Sequence, residues 1–286
     1  MPHPLRRAER GAGAFGESVL LIGPGAALLI GAFLFPVGQI LVLSIVPPEE
    51  GLSIWANFAR FFEDDYYLRV AWRTFRLSVI ITLVTAMIGF PLAYVVARSP
   101  RIVGYTLLLL TVLPLMTSVV VRTFGWIIAL GRGGPVADLL SLTGLGARDA
   151  TLLHTETGIV IAMVQVLLPF MTLTTLGVIS TIHPHLEEAS RTMGAGFYRT
   201  LRHVVLPLSV PGLVSGSLLV FALSISSFVT PNLVGGVRLP VMAGAIYQQA
   251  TSTLDWNFAA AQSTLLLAAV LGLLIPYLAL TRRRHG

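Results

Sequence analysis

Six apolar runs, near residues 19–46, 74–97, 102–130, 158–181, 208–229 and 259–281, contain no carboxylate and confine what this chain can fold into. A helix needs roughly 20 apolar residues to cross about 30 Å of hydrocarbon, and each run is long enough. In lipid every backbone N–H and C=O must be satisfied within the protein, so such runs fold as helices. The reading is an all-α membrane protein with six transmembrane helices. The overall balance agrees, because 55% of residues are hydrophobic and only 11% are charged, against about 25% charged in a soluble domain. The first run follows Arg6, Arg7 and Arg10, much as a signal peptide's apolar core follows its basic region. It is too long for a cleaved signal and contains Pro24 and Pro36, so it reads as a retained span.

Charge asymmetry sets the orientation, since cytoplasmic loops carry the excess of basic residues. With the N-terminus inside, the inner segments are 1–18, 98–101, 182–207 and 282–286. They hold eleven arginines against Glu9, Glu17, Glu187 and Glu188, a net of +7, whereas the remainder nets −1. Glu49, Glu50, Glu63, Asp64 and Asp65 all fall in the first outer loop. The expected organisation is a cytoplasmic N-terminal segment (1–18), a six-span membrane domain (19–281) with an inner loop at 182–207, and a cytoplasmic tail (282–286). Both termini are expected in the cytoplasm.

The chain has no cysteine, which excludes disulfides and thiolate metal sites. It has no lysine either, so all 19 basic residues are arginine. That excludes the P-loop, whose lysine contacts nucleotide phosphates. If ATP drives this protein, another chain hydrolyses it. The pI of about 10.3 does not point to nucleic acid, because the arginines fall in short clusters beside apolar runs, as topology signals do.

Pro36, Pro91, Pro114, Pro169, Pro211 and Pro276 put a proline in every span. They are either ordinary membrane kinks, their freed carbonyls re-satisfied by neighbours, or, at Pro114 and Pro169, pivots around a central cavity. The outer loops 131–157 and 230–258 have room for short surface helices, and 241–250 looks like one. His183 and His185 flank Pro184 without enough further ligands for a metal, so they read as surface residues and no metal site is expected. Gly212 and Gly216 have the spacing of close helix packing.

The inner loop at 182–207 is a charged island between two apolar runs. Pro184 starts a helix whose first turn carries Glu187 and Glu188, where acids complement the helix dipole. Ala189 and Ser190 are small and let another surface approach closely. Gly194 and Gly196 interrupt the helical pattern and permit a sharp bend. Phe197 and Tyr198 offer aromatic contact area, Arg199 and Arg202 follow, and Leu206-Pro207 precedes the next span. The expectation is two short helices joined by a glycine bend, with a contact face of small residues.

Glu188-Ala189-Ser190, then Gly194, then Val204-x-Leu206-Pro207 resembles the EAA loop of the type I permeases of bacterial ATP-binding-cassette (ABC) importers. The spacing is kept throughout, with serine for the second alanine and valine for isoleucine. Arg122-Thr123 with Trp126, the run Leu130-Gly131-Arg132-Gly133-Gly134, Leu168-Pro169-Phe170, and the run from Phe228 to Gly236 are similar to the spermidine/putrescine branch, in order along the chain. The resemblance implies a type I importer permease fold in a bacterial inner membrane. It implies a non-catalytic subunit that binds no cofactor, with ATP and Mg used by a partner ATPase dimer. It also implies an extracytoplasmic solute-binding protein and a second permease subunit, a heterodimer being favoured. The loop would be the coupling helix, with Glu188, Ala189 and Gly194 as the docking surface, Ser190, Leu206 and Pro207 completing the motif, and Phe197 as aromatic contact area beside it. Arg191 and Arg199 would be either charge partners of the ATPase or topology markers. The implied substrate is a small polar solute, a polyamine first, with an opine, an amino-acid-like solute or an organic acid as the alternative.

Cations crossing a membrane usually meet carboxylates or aromatic faces. No span carries a carboxylate, so a polyamine would need Trp126, Tyr94 or Tyr247, backbone carbonyls, or acids from a partner chain. Gln165 lies four residues before Pro169 and either bonds another helix or lines the path. Ser224, Ser226, Ser227 and Thr230 give the end of the fifth span a polar stripe, and Asn232 follows Pro231. Gln165, Ser227 and Asn232, with Trp126 and Tyr94, are the candidate substrate contacts. Arg122 stands well inside an apolar run. Counted from Ile102 at 1.5 Å per residue it lies roughly 30 Å along a straight helix, at the outer interface. There it is either a bracing arginine or, with Arg132, an outer gate or a contact for an anionic group on substrate or receptor. A stand-alone secondary transporter or channel would need intramembrane acids and leaves the inner loop unexplained. A membrane-embedded enzyme would need a nucleophile–base or metal pair at matched depth.

Overall fold

The computed structural model describes residues 6–47, 53–142 and 151–282, with side chains between 23 and 272 apart from residue 140. Residues 1–5 and 283–286, at the two terminal segments, and Glu49 and Glu50 lie outside the described residues. The described chain is mostly helical and contains no strand.

The chain order is α1 (Arg6–Ile45), α2 (Ala56–Glu63), α3 (Asp65–Arg98), α4 (Arg101–Val112), α5 (Val119–Leu130), α6 (Pro135–Leu142), α7 (Glu156–Ile179), α8 (His185–Thr192), α9 (Phe197–Thr200), α10 (Leu206–Ile225), α11 (Val229–Gly235), α12 (Met242–Gln248) and α13 (Trp256–Arg282). Local chemistry sets the ends. The Asp64 carboxylate accepts from the Tyr66 N–H at 2.8 Å and starts α3, and the Thr155 hydroxyl accepts from the Gly158 N–H at 3.1 Å and starts α7. Ser99 is extended before Pro100, as a pre-proline residue prefers, and α3 stops there.

Four stretches are long and apolar enough to cross a membrane among the described residues: Gly23–Ile45, Asp65–Arg98, Glu156–Ile179 and Phe197–Ile225. The third apolar run differs from the straight span expected of 102–130. It breaks after a 3-10 turn over Leu113–Met116, at an extended Thr117-Ser118, and the chain bends there by 103°. Pro114 donates no N–H to the turn before it, and the chain tightens from α-helix to 3-10 at that point, just ahead of the bend. The two arms together give a fifth candidate span. The 27-residue α13 covers the sixth apolar run.

The fifth run also differs at both ends. The segment after the glycine bend is not a separate short helix; Phe197–Ile225 is continuous for 29 residues. Leu201–Val205 winds as a π turn, with the Leu206 N–H bonded to the Leu201 carbonyl. One looser turn lets the helix accept Pro207 without a break. At the far end α10 stops at Ile225, so Ser224, Ser226, Ser227 and Thr230 do not form one helical stripe.

The core lies where α3, α7 and α10 pack pairwise. Leu77, Ile81, Ile159, Met163, Leu167, Met171 and Val220 fill it. Close approach rests on glycines, because a Cβ on Gly212 would sit 2.9 Å from Val178 Cβ and one on Gly89 2.7 Å from Met171 Cγ. A second cluster joins α2, α12 and α13 to the start of α3, around Phe61, Tyr67, Met242 and Phe258. α12 lies within the expected surface stretch 241–250, yet Met242 and Ala245 are buried, and the Met242 N–H donates to Thr74 Oγ1 at 2.8 Å. α1 packs on α13 and α2 and leaves Leu28 70% exposed and Phe33 69% exposed. Such a face suits lipid or another membrane helix.

Candidate functional site

Two places gather the residues singled out from the sequence. The first is the loop between α7 and α10. α8 ends on Met193, the Gly194 N–H bonds to the Arg191 carbonyl at 2.9 Å, and the Ala195 N–H bonds to the Ser190 carbonyl at 3.1 Å. That pair of bonds is a Schellman ending. It requires a left-handed residue at 194, and Gly194 has φ +85°. Nothing lies within 4 Å of where a Gly194 Cβ would stand. The bend is therefore open to solvent on its outer side.

The loop's two faces differ. Leu186, Glu188, Ala189, Arg191, Met193, Phe197, Tyr198 and Arg199 are exposed, with Met193 and Tyr198 each at 83%. His185 Nδ1 lies 2.7 Å from Glu188 Oε2. This hydrogen bond, and then the imidazole's charge, hold the Glu188 carboxyl below the usual carboxylate range. Glu188 is thus an anion on the open face at neutral pH. The His183 and His185 rings stack at 4.4 Å on the surface.

Ser190 departs from its expected place. It is buried, and its hydroxyl lies 3.1 Å from that of Thr200, so it ties α8 to α9 instead of lining the contact face. Glu187 points inward beside it. It is 5% exposed and accepts from Tyr94 Oη at 2.8 Å and from Arg98 Nε at 2.7 Å. Tyr94, expected on the substrate path, is therefore a partner of this loop, and its ring also meets that of Phe197 at 6.1 Å. Sequence reasoning missed Arg98 and Thr200 and read Glu187 only as a helix-start acid. The available signal was the i, i+3 spacing of Glu187 and Ser190, which puts both on one helix face.

The second place is a cavity of about 450 Å³ inside the 103° break. Pro114, Thr117, Arg122, Gly125, Trp126 and Gln165 line it, with Leu113, Val121 and Ala129. Trp126 Nε1 donates to Gln165 Oε1 at 3.2 Å, which joins α5 to α7. Gln165 thus both bonds another helix and faces a cavity. Arg122 does not sit at the end of a straight helix. It reaches back across the break and donates from Nη1 to the Pro114 carbonyl at 2.7 Å, while its buried Nε has no partner. A straight count from Ile102 fails because the run turns at Thr117-Ser118.

Ser227 and Asn232 do not line that cavity. Ser227 Oγ lies 3.6 Å from Met163 Sδ, and Asn232 sits on α11, whose neighbour Thr230 lies 3.1 Å, hydroxyl to hydroxyl, from Thr123 of α5. Arg132 lies elsewhere again, in an open cleft of about 750 Å³ with His154 and Arg238.

Residues 87–283 match the family model described as binding-protein-dependent transport system inner membrane component. The spermidine/putrescine transport system permease protein PotB of Haemophilus influenzae is 31% identical over 207 residues, 72% of this chain and 72% of that protein. PotB of Escherichia coli is 30% identical over 219 residues, 77% of this chain and 79% of that one. Among solved structures, a bacterial alginate ABC transporter in complex with an alginate pentasaccharide-bound periplasmic protein has a chain that superposes with a TM-score of 0.77. That match covers 99% of this chain and 98% of the other at 17% identity.

Proposed function

Because the chain belongs to the family of inner membrane components of binding-protein-dependent transport systems, we propose that it forms half of a polyamine path and is driven by a separate ATPase seated on the loop 187–207. The protein is a multi-pass permease of an ABC importer. The finer reading adds two ATPase subunits inside, a solute-binding protein outside and a second, different permease alongside. ATP and Mg belong to the ATPase, because a chain without lysine lacks the phosphate-binding lysine of a P-loop.

One observation carries the ATPase reading. A Schellman bend at Gly194 stands fully open, flanked by exposed Met193, Tyr198, Ala189 and ionised Glu188. Large exposed side chains around an open bend suit a docking surface. The cycle that follows is receptor docking outside, ATPase closure delivered through α8, outward opening of the path and release of substrate inward. Reconstitution with and without the ATPase tests it. ATP-dependent uptake should require all components, and uptake by this permease with no ATPase present overturns the reading.

The polyamine assignment rests on the PotB relatives. A second reading has its own observation: the cavity presents the Arg122 guanidinium and no carboxylate. An opine, amino-acid-like solute or organic acid would bring an anionic group to Arg122, whereas a polyamine would lean on Trp126 and backbone carbonyls. The ligand retained by the docking solute-binding protein separates the two, since an acid there displaces the polyamine.

A further inference from the structure

Glu187 is a buried carboxylate on a helix whose other face is open, and nothing in the docking role uses it. Its side chain is 7% exposed, and that of Arg98 is 19% exposed. Arg98 spends its planar fork on two acceptors, Nε on Glu187 Oε1 at 2.7 Å and Nη2 on the Ile182 carbonyl at 2.9 Å. Tyr94, one turn earlier on α3, donates its hydroxyl to the other Glu187 oxygen at 2.8 Å. Three charge-assisted bonds from two residues on one face of α3 therefore grip the turn before α8 and the first turn of α8. On the far side of the bend, Phe197 sets its ring edge-on against Tyr94.

The covalent path makes this grip matter. α8 joins α7 through a short turn, and it joins the 197–225 helix through a glycine at positive φ. No backbone connects α8 to α3. Yet α3 packs against both α7 and α10 in the core and carries Pro91 within its length. A coupling helix held only by its own chain would swing on its glycine and leave α3 behind. A planar guanidinium held on two separate acceptors resists such sliding, because it constrains direction as well as distance.

We infer that Tyr94, Arg98 and Glu187 form a strut that makes α8 and α3 move as one body, so that force applied to the coupling loop reaches α3 directly. They are positioning residues, acting through the contact they make between α8 and α3. The inference rests on the reading of 187–207 as the ATPase seat.

The test uses the assembled transporter in proteoliposomes and reads three quantities together: ATPase retained, ATP hydrolysed and solute taken up. Glu187→Gln and Arg98→Met should keep the ATPase bound and hydrolysing while uptake per ATP falls about tenfold, within the range for residues along a coupling path. Exchanging the pair, Arg98→Glu with Glu187→Arg, should recover part of the ratio. Tyr94→Phe removes one hydroxyl at constant shape and should lower the ratio less. That variant carries the test if the charge variants fail to assemble. An unchanged ratio in intact complexes overturns the strut alone, as does uptake that falls only in step with the amount of complex. A wild-type chain that retains no ATPase overturns the reading of the loop, and the strut with it.

Discussion

Gly194 answers two demands at once, and they separate by substitution. Its φ of +85° costs an L-residue about 1–2 kcal/mol, while the space beyond its missing Cβ is empty. Asparagine enters the left-handed region more readily than most residues. Gly194→Asn therefore preserves the bend and alters the surface, and Gly194→Asp adds a charge beside Glu188 as well. We expect Gly194→Asp to insert in the membrane at the wild-type level, lose the co-purifying ATPase and abolish uptake, with Gly194→Asn weakening co-purification. Co-purification of the ATPase at the wild-type level with Gly194→Asp would count against a docking role. The bend was legible from one glycine at motif spacing. The inward turn of Glu187 was not, because its partner Arg98 lies 89 residues away, and adjacent glutamates carry no sign of which one faces in. Helical spacing from Ser190 held that answer, yet only the fold shows which face is covered.

At the scale of elements, the third apolar run shows what hydropathy alone leaves out. Leu113-Pro114-Leu115-Met116 is as apolar as the helices it separates, so a window average passes over the break without a dip. Spans were legible because length and apolarity are what lipid selects for. The bend was not, since it depends on whether neighbours satisfy the carbonyls that lose their helical partners where Thr117-Ser118 leaves the helix. Arg122 supplies one of those partners. A hydrogen bond from a charged donor is worth about 1.5–3 kcal/mol. Arg122→Met should therefore loosen the break by about that amount and leave the Pro114 carbonyl to Thr117 alone. Expected readouts are lowered uptake, a lowered unfolding midpoint in detergent and unchanged ATPase retention. Arg122→Lys, which keeps a donor but loses the planar fork, should fall between. Equal stability of wild type and Arg122→Met would show that the bond at Pro114 braces nothing. The same break explains why Trp126 and Gln165 meet. Folding the α5 arm back brings its indole N–H within reach of a mid-α7 amide, a meeting that distance along the sequence does not reveal.

Across the whole molecule, charged pairs mark two levels. Arg76 and Arg73 of α3 face Glu156 at the start of α7, and Arg60 holds Asp255 at 2.7 Å. Arg98 and Glu187 lie at the other end of α3. From Arg76 to Arg98 a helix rises about 33 Å at 1.5 Å per residue, close to the roughly 30 Å hydrocarbon thickness. The separation of the paired charges thus fits one bilayer thickness, with the arginine-rich loop at one level and the acids around 63–65 at the other. The positive-inside rule then predicts the loop 182–207 in the cytoplasm and Glu156 and Asp255 outside. The chain has no cysteine, so a single introduced thiol reports its side without ambiguity. Tyr198→Cys and Val237→Cys both replace highly exposed residues, at 83% and 98%. In intact spheroplasts a membrane-impermeant maleimide should label Val237→Cys at once and Tyr198→Cys only after the membrane is opened. Labelling of both from outside would break the two-level assignment. Labelling of Tyr198→Cys alone would invert the orientation and remove the loop from any cytoplasmic ATPase.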